Sequence, residues 1–179
     1  MGRQMTEQDV SKVLAQLSYD PETGIFHHRK NAGCMLAGQR AGNKDSSGHI
    51  QFCVDRKMYL AHRVAFLFVE GKMPPDDMEV DHINGIRHDN RWCNLRLATR
   101  QQNSWNRACH KNSKSGLRGV RFAKRRGKWE ALIYLNKRQK HIGYYSTAEE
   151  ASQAFAEAVK KYRGPEWAGR DLHPAHSHT

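Results

Sequence analysis

Asp81 and His82 stand side by side in the stretch VDHINGIRHDN, residues 80–90. A carboxylate beside an imidazole joins a ligand for a hard cation to a group that takes up a proton near neutral pH. Asn94 and Asn103 follow, and an amide oxygen is also a hard donor. Phosphodiester hydrolysis needs such parts. A base must take the proton of a water molecule, and positive charge must sit where the transition state gathers negative charge. Each residue also has an ordinary reading. Asp81 could be a turn aspartate bonding its own backbone, His82 a surface imidazole, Asn94 a cap and Asn103 a solvated helix residue. His88, in the same polar and apparently ill-packed stretch, is either a phosphate contact or a bystander.

The elements around these residues can be read from periodicity. EQDVSKVLAQL, residues 7–17, has Val10, Val13, Leu14 and Leu17 at helical spacing. Asp20-Pro21 and Gly24 mark a turn, and residues 25–28 form a short strand. Residues 29–48 read mostly as loop. Ile50, Phe52 and Val54 alternate before a turn at 55–57, and residues 58–60 return as the second arm of a hairpin. Residues 61–69 are apolar on most sides and predict a helix over that hairpin, stopped by Gly71 and Pro74-Pro75. His62 and Arg63 stand at its start, either as caps of the corner or, for Arg63, facing a phosphate. Asn84-Gly85 is a turn signal, RWCNLRL (91–97) reads as a tight connection, and ATRQQNSWNRACH predicts a helix capped by Thr99. Polar residues dominate that helix, so a large apolar face cannot be what holds it.

The pattern changes after KNSKSGLR, residues 111–118, which reads as a linker. Three strands are expected at 119–123, 129–135 and 140–144, with turns at Arg126-Gly127 and Asn136-Lys137. STAEEASQAFAEAVKKYRG follows as one helix, with Ser146 and Glu149 matching a capping box. Its apolar stripe is Ala151, Ala154, Phe155, Ala158, Val159 and Tyr162. The helix can cover one face of the sheet. The other face is expected to be basic, with Trp129 and Tyr134 in or near it. Residues 165–179 read as a tail.

Charge gives this division a meaning. The chain has 179 residues, 30 Lys and Arg against 18 Asp and Glu, and a formal net charge of +12. Eleven of the basic residues fall between Lys111 and Lys140, against the single acid Glu130. So one-sided a balance calls for a polyanionic partner, and a basic strand ribbon fits a DNA major groove. No segment approaches the ~20 apolar residues that cross a bilayer, so no membrane is expected. The four cysteines, Cys34, Cys53, Cys93 and Cys109, contain no CxxC pair, so neither a disulfide framework nor a structural zinc is expected. Whether His88, Cys93, Cys109 or His110 binds a metal stays open.

VDHINGIRHDNRWCNLRLATRQQN resembles the HNH endonuclease motif, in the form found in phage and intron-encoded homing endonucleases, and AHRVAFLFVEGKMPPDDMEVDH resembles the approach to it. The resemblance implies a ββα-metal core in which His82 is the general base and Asp81 a metal ligand. It also implies that Asn94 ties the loop and orients the histidine. Asn103 takes the last position of the signature, giving the HNN variant, and its harder oxygen favours Mg²⁺ or Mn²⁺. The paired-CxxC knuckle frequent in the family is missing, so Leu95, Leu97, Ile83 and Trp92 are expected to pack the core instead. The C-terminal segment is similar to the AP2/ERF DNA-binding domain at RGV, Lys128-Trp129, HIGYY and the alanine-rich helix. That similarity implies DNA contacts from Arg118, Arg121, Lys124, Arg126, Trp129 and Arg138. Arg87 and Arg63 are the candidates from the first region, and Arg91, Arg96 and Arg100 could also position DNA.

The fold expected is therefore α+β. A small sheet-and-helix region leads into the nuclease core within residues 1–110 (core 60–110), and a three-stranded antiparallel sheet plus helix occupies 119–164. The activity expected is metal-dependent hydrolysis of double-stranded DNA by a monomer or homodimer in the cytoplasm, of the host cell if phage-encoded. One active site would nick one strand, leaving 5′-phosphate and 3′-hydroxyl ends. The alternative is a sequence-specific DNA-binding protein or transcription regulator without nuclease activity.

Overall fold

The structure is a computed structural model that describes residues 5–31, 35–105, 115–136 and 138–167. Its contacts divide the chain into two units, Met1–Ser104 and Trp105–Thr179. The expected helix beyond Trp105, the linker up to Lys114, and Cys34, Cys109 and His110 lie outside the described residues, as does the tail beyond Trp167.

The first unit opens with α1 (Glu7–Gln16), whose start is fixed by a reciprocal capping box between Thr6 and Asp9. Strand β1 (Leu17–Asp20) pairs with β2 (Ile25–His28). The sequence reading marked a turn at Asp20-Pro21 and no strand before it. Leu17–Asp20 form a strand because Tyr19 lies against Phe26 across the hairpin, ring centroids 4.6 Å apart. A second sheet holds β3 (Asn43–Lys44), β4 (Ile50–Val54) and β5 (Lys57–Leu60) in that order. The β4–β5 turn needs only Asp55 and Arg56, at φ 51° and 62°, which is the primed geometry that follows strand twist. Helix α2 (Ala61–Glu70) buries Ala61, Val64, Ala65, Phe66 and Leu67, and ends on Gly71 in the left-handed region. The core joins these pieces: Val13, Leu17, Phe26, Ile50, Phe52, Val54 and Val64 pack together with Val80 and Leu95. Full burial of each large side chain stabilises by about 1.5–3 kcal/mol.

Strand β6 (Met78–His82) then pairs antiparallel with β7 (Leu95–Thr99), placing Asp81 opposite Arg96 and His82 opposite Leu95. RWCNLRL is thus no mere connection. A 3-10 turn at Trp92–Asn94 delivers the chain into β7, which buries Leu95 and Ala98. Helix α3 (Arg100–Trp105) follows, its start closed by Thr99 and Gln102 bonding each other's backbone. Leu95 is buried and Trp92 packs on Phe66, while Leu97 is 37% exposed and Ile83 half-buried, so only two of the four expected core residues carry that duty.

The second unit is a sheet of β8 (Val120–Ala123), β9 (Lys128–Leu135) and β10 (Arg138–Tyr145), with β9 in the middle, and the helix α4 (Ala148–Arg163). The capping box falls one residue later than expected, on Thr147 and Glu150. Thr147 has the extended backbone an N-cap needs, and its hydroxyl accepts from Glu150 N. Ala151, Phe155, Ala158 and Val159 are buried as the stripe required, whereas Tyr162 is 40% exposed. No helix among the described residues is long and apolar enough to cross a membrane.

Candidate active site

His82 ends β6 and is only 5% exposed. Its Nε2 lies 3.0 Å from Oδ1 of Asn90, itself 2% exposed. Burial lowers the His82 pKa, and the bond to Asn90 and the charge of Asp81 only partly oppose this. The imidazole is therefore neutral near pH 7, with Nε2–H donating to the amide oxygen.

The polar loop between β6 and β7 is not badly packed, contrary to its sequence. Asn94 is buried, accepts from Asn84 N (3.0 Å) and donates to the Asp89 carbonyl (2.7 Å). Ile83 N donates to the Asn94 carbonyl. Asp89 accepts from Asn84 Nδ2 and from Arg91, which holds its carboxyl down at about 2. The first hairpin supports the loop from below: Tyr19 Oη donates to the Asn90 carbonyl (2.7 Å), and Trp92 N to the Pro21 carbonyl (2.9 Å). Asn94 thus acts on the loop, and Asn90, which sequence reasoning passed over, touches the histidine. Its only signal was a second amide within the stretch.

Asp81 is also buried, and Arg96 grips its Oδ2 through Nε (2.9 Å) and Nη2 (2.8 Å). Alternation along β6 puts Glu79 and Asp81 on one face of the ribbon and Val80 and His82 on the other. Asn103 belongs to the Asp81 face, since its Nδ2 donates to Glu79 Oε2 (2.5 Å). The structure therefore brings Asp81, Asn103 and Glu79 to one face. His82, the next residue along β6, points from the other side of the strand end. The donors on the Asp81 face are carboxylate and amide oxygens, a set that suits one hard divalent ion.

On the other face His82 meets two more imidazoles. His49 lies just before β4 and His62 in the first turn of α2; one ring nitrogen of each lies within 4.8 Å of those of the other two. Desolvation, and then the neighbouring imidazoles, push His62 well below the ordinary histidine range. Desolvation likewise lowers His49. Neither was an expected site residue, because their partners are distant in sequence.

The expected DNA contacts divide. Arg63 is half-buried and turned to the carbonyls of Pro74 and Met78, not outward to a phosphate. Arg87 is exposed and donates to Ser47 O (2.7 Å). His88 is exposed, as are the thiols of Cys53 and Cys93. In the second unit Arg118 donates to the Trp105 carbonyl. Lys124, Arg126 and Arg138 are exposed, and Arg126 stacks over Tyr144 at 4.6 Å. Arg121 pairs with the buried Glu130 (2.7 Å), which raises the pKa of the guanidinium. Trp129 departs from expectation. Its register puts it on the helix-covered face beside Val120, Ala131 and Tyr145, while Tyr134, five residues on and therefore of opposite parity, faces out at 59% exposure.

Residues 59–105 match the family model described as HNH endonuclease. The chain carries an HNH endonuclease domain. An HNH endonuclease of Acanthamoeba polyphaga mimivirus is 37% identical over 99 residues, 55% of this chain and 50% of that protein. Protein 3.8 of Escherichia phage T7 is 37% identical over 59 residues, 33% of this chain and 49% of its own. The chain thus spans about half the length of each of these relatives. No solved structure matches. The HNH match covers α2, β6, β7 and α3 and so includes Asp81, His82, Asn94 and Asn103.

Proposed function

We propose that the protein is a metal-dependent DNA endonuclease of homing type, built on a ββα-metal core of β6, β7 and α3. The observation that carries this reading is the neutral, buried His82, oriented by Asn90 at the end of the strand that also presents Asp81. Asp81 and Asn103, with Glu79 beside them, would hold one Mg²⁺ or Mn²⁺. That ion supplies positive charge to the scissile phosphate and the departing oxygen. His82 takes the proton of the attacking water, and Asn90 keeps the ring in the tautomer whose other nitrogen can receive it. Arg96 holds the Asp81 carboxylate in place. Asn94 keeps the loop closed behind the histidine. The new P–O bond forms as the 3′ oxygen leaves and is protonated by solvent, giving 5′-phosphate and 3′-hydroxyl ends.

The second unit would hold double-stranded DNA through an AP2-like sheet. Arg126, Lys128, Tyr134 and Arg138 are exposed there, with Lys124 at the turn. Phosphate contacts of this kind give affinity without sequence and weaken steeply with salt. One site in a monomer would nick one strand per event, and a homodimer would be needed for a double-strand break. Plasmid nicking with Mg²⁺ or Mn²⁺ tests the reading. Wild type should nick, and His82→Ala should bind DNA equally while losing about 10²–10⁴-fold in rate. Equal inertness of both across metals and targets refutes nuclease activity and leaves a DNA-binding protein.

A further inference from the structure

The face of the ribbon opposite Asp81 holds a constellation of which the proposed cleavage reaction uses only His82. His49, His62 and His82 come from three separate elements, yet one ring nitrogen of each lies within 4.8 Å of the other two. The ring centroids are 4.9, 5.1 and 5.8 Å apart. His62 and His82 are buried and His49 half-buried.

Three features mark the cluster as more than core packing. First, one ring nitrogen in each of two members is already held by an oxygen. His82 Nε2 faces Asn90 Oδ1 at 3.0 Å, and His49 Nδ1 faces Ser47 Oγ at 2.7 Å. Metal-binding histidines are oriented in this way, the second nitrogen being held by an oxygen. Second, Nδ1 of His62 is buried without a hydrogen-bond partner, and His62 is 6% exposed. A polar atom stranded in this way is destabilising unless something binds it. Third, the three nitrogens converge from separate elements, close enough for one cation to be shared among them. In a tetrahedral zinc site with Zn–N near 2.05 Å, neighbouring nitrogens lie about 3.3 Å apart. Each ring would have to move inward by about 1 Å at most, which a small side-chain rotation supplies.

We infer that His49, His62 and His82 form a second metal site, selective for one Zn²⁺-class ion (Zn²⁺, Co²⁺, Ni²⁺ or Cu²⁺) and separate from the oxygen ligands around Asp81. Three imidazoles suit these borderline metals and suit Mg²⁺ poorly. The fourth position is left to water. With Nε2 of His82 donating to Asn90 and Nδ1 on the metal, neither nitrogen can accept a proton. Under the nuclease reading proposed above, an ion here silences the base, so Zn²⁺ opposes Mg²⁺.

The test is titration of the chelator-stripped full chain with Co²⁺ and Zn²⁺, read by visible absorption and calorimetry. One equivalent of Co²⁺ should give the intense bands of a tetrahedral nitrogen site, displaced by Zn²⁺ and indifferent to excess Mg²⁺. His49→Ala, at the half-buried member, should weaken binding by more than about 100-fold, and Ser47→Ala by roughly 10-fold. Asp81→Asn should leave it unchanged. The inference is overturned if the folded wild type takes up no Co²⁺ or Zn²⁺. It is also overturned if binding survives His49→Ala, or if it is lost in Asp81→Asn. Metal uptake is read without cleavage, so a chain that binds Zn²⁺ yet never nicks DNA refutes the nuclease reading alone.

Discussion

Gly24 and Gly71 share one φ and differ in what surrounds them, which isolates the contact that holds the loop between β6 and β7. Both have φ of 71°. An added Cβ at Gly71 meets nothing within 4 Å, whereas at Gly24 it would fall 2.3 Å from Arg91 N and 2.4 Å from the Asn90 carbonyl carbon. Alanine in the left-handed region costs about 1–2 kcal/mol at either place. At Gly24 the hairpin turn and the loop must also separate by about 1 Å to reach ordinary contact distance. That opening breaks the two bonds that span them, Tyr19 Oη to Asn90 O at 2.7 Å and Trp92 N to Pro21 O at 2.9 Å. Each contributes about 1 kcal/mol. Gly24→Ala should therefore lie about 2 kcal/mol below Gly71→Ala in urea unfolding followed by circular dichroism. It should also nick DNA about 100-fold more slowly, because it displaces the residue that orients His82 and a 1 Å error there is enough. Gly71→Ala should retain full rate. A difference in stability under about 0.5 kcal/mol, together with undiminished cleavage by Gly24→Ala, would refute the claim that the first hairpin seats the loop.

Four further outcomes follow from the same geometry. Arg96→Met strands the buried Asp81 carboxylate and should lower unfolding free energy by about 3–5 kcal/mol, with the double variant Asp81→Asn/Arg96→Met recovering a large part of it in a denaturant cycle. His62 and His82 are held below their unfolded pKa of about 6.5, so the unfolded chain binds protons first. With EDTA present, stability should be level above about pH 7 and fall as pH drops below 6.5, at up to about 1.4 kcal/mol per pH unit for His62, and a flat urea profile from pH 7.5 to 5 contradicts this. Arg126→Ala and Lys124→Ala should weaken DNA binding on any sequence and reduce the log–log salt slope by about 0.9 each, as measured by fluorescence anisotropy across salt. Trp129→Ala should behave differently, unfolding the second unit by about 3–5 kcal/mol, because the ring packs on the helix side, and a stable variant with altered DNA affinity would show that the ring faces DNA.

Much of the architecture was legible because it is local. Helix α1, the β4–β5 hairpin, α2 and the three strands with their helix each follow from periodicity and turn residues a few positions apart. The misreadings share a physical cause: a competing signal nearby. The turn signal Asp20-Pro21 hid the strand before it, which cross-strand packing of Tyr19 on Phe26 makes. Ser146 looked like the cap because it precedes an acid by three residues. Thr147 does too, and only the backbone angles decide between them. Trp129 was placed on the open face by its company of basic residues, but parity along β9 is set by Ala131 and Ile133, both fully buried.

The candidate site shows where such reading stops. Asp81 and His82 are adjacent in sequence, and in a strand neighbouring side chains point to opposite faces. The ribbon therefore separates two chemistries that the dipeptide seemed to merge: an oxygen face with Glu79, Asp81 and Asn103, and a nitrogen face with His49, His62 and His82. Asp81 and Asn103 of the first can be proposed from sequence through the resemblance, being confined to one ribbon and the helix after it, while Glu79 went unnamed. The second cannot, because the 33 positions from His49 to His82 include the β4–β5 hairpin and the whole of α2, whose packing alone decides which imidazoles meet. His82 belongs to the nitrogen face by geometry and to the oxygen face by proposed function. Whichever metal a solution offers, hard or borderline, decides which of the two it serves.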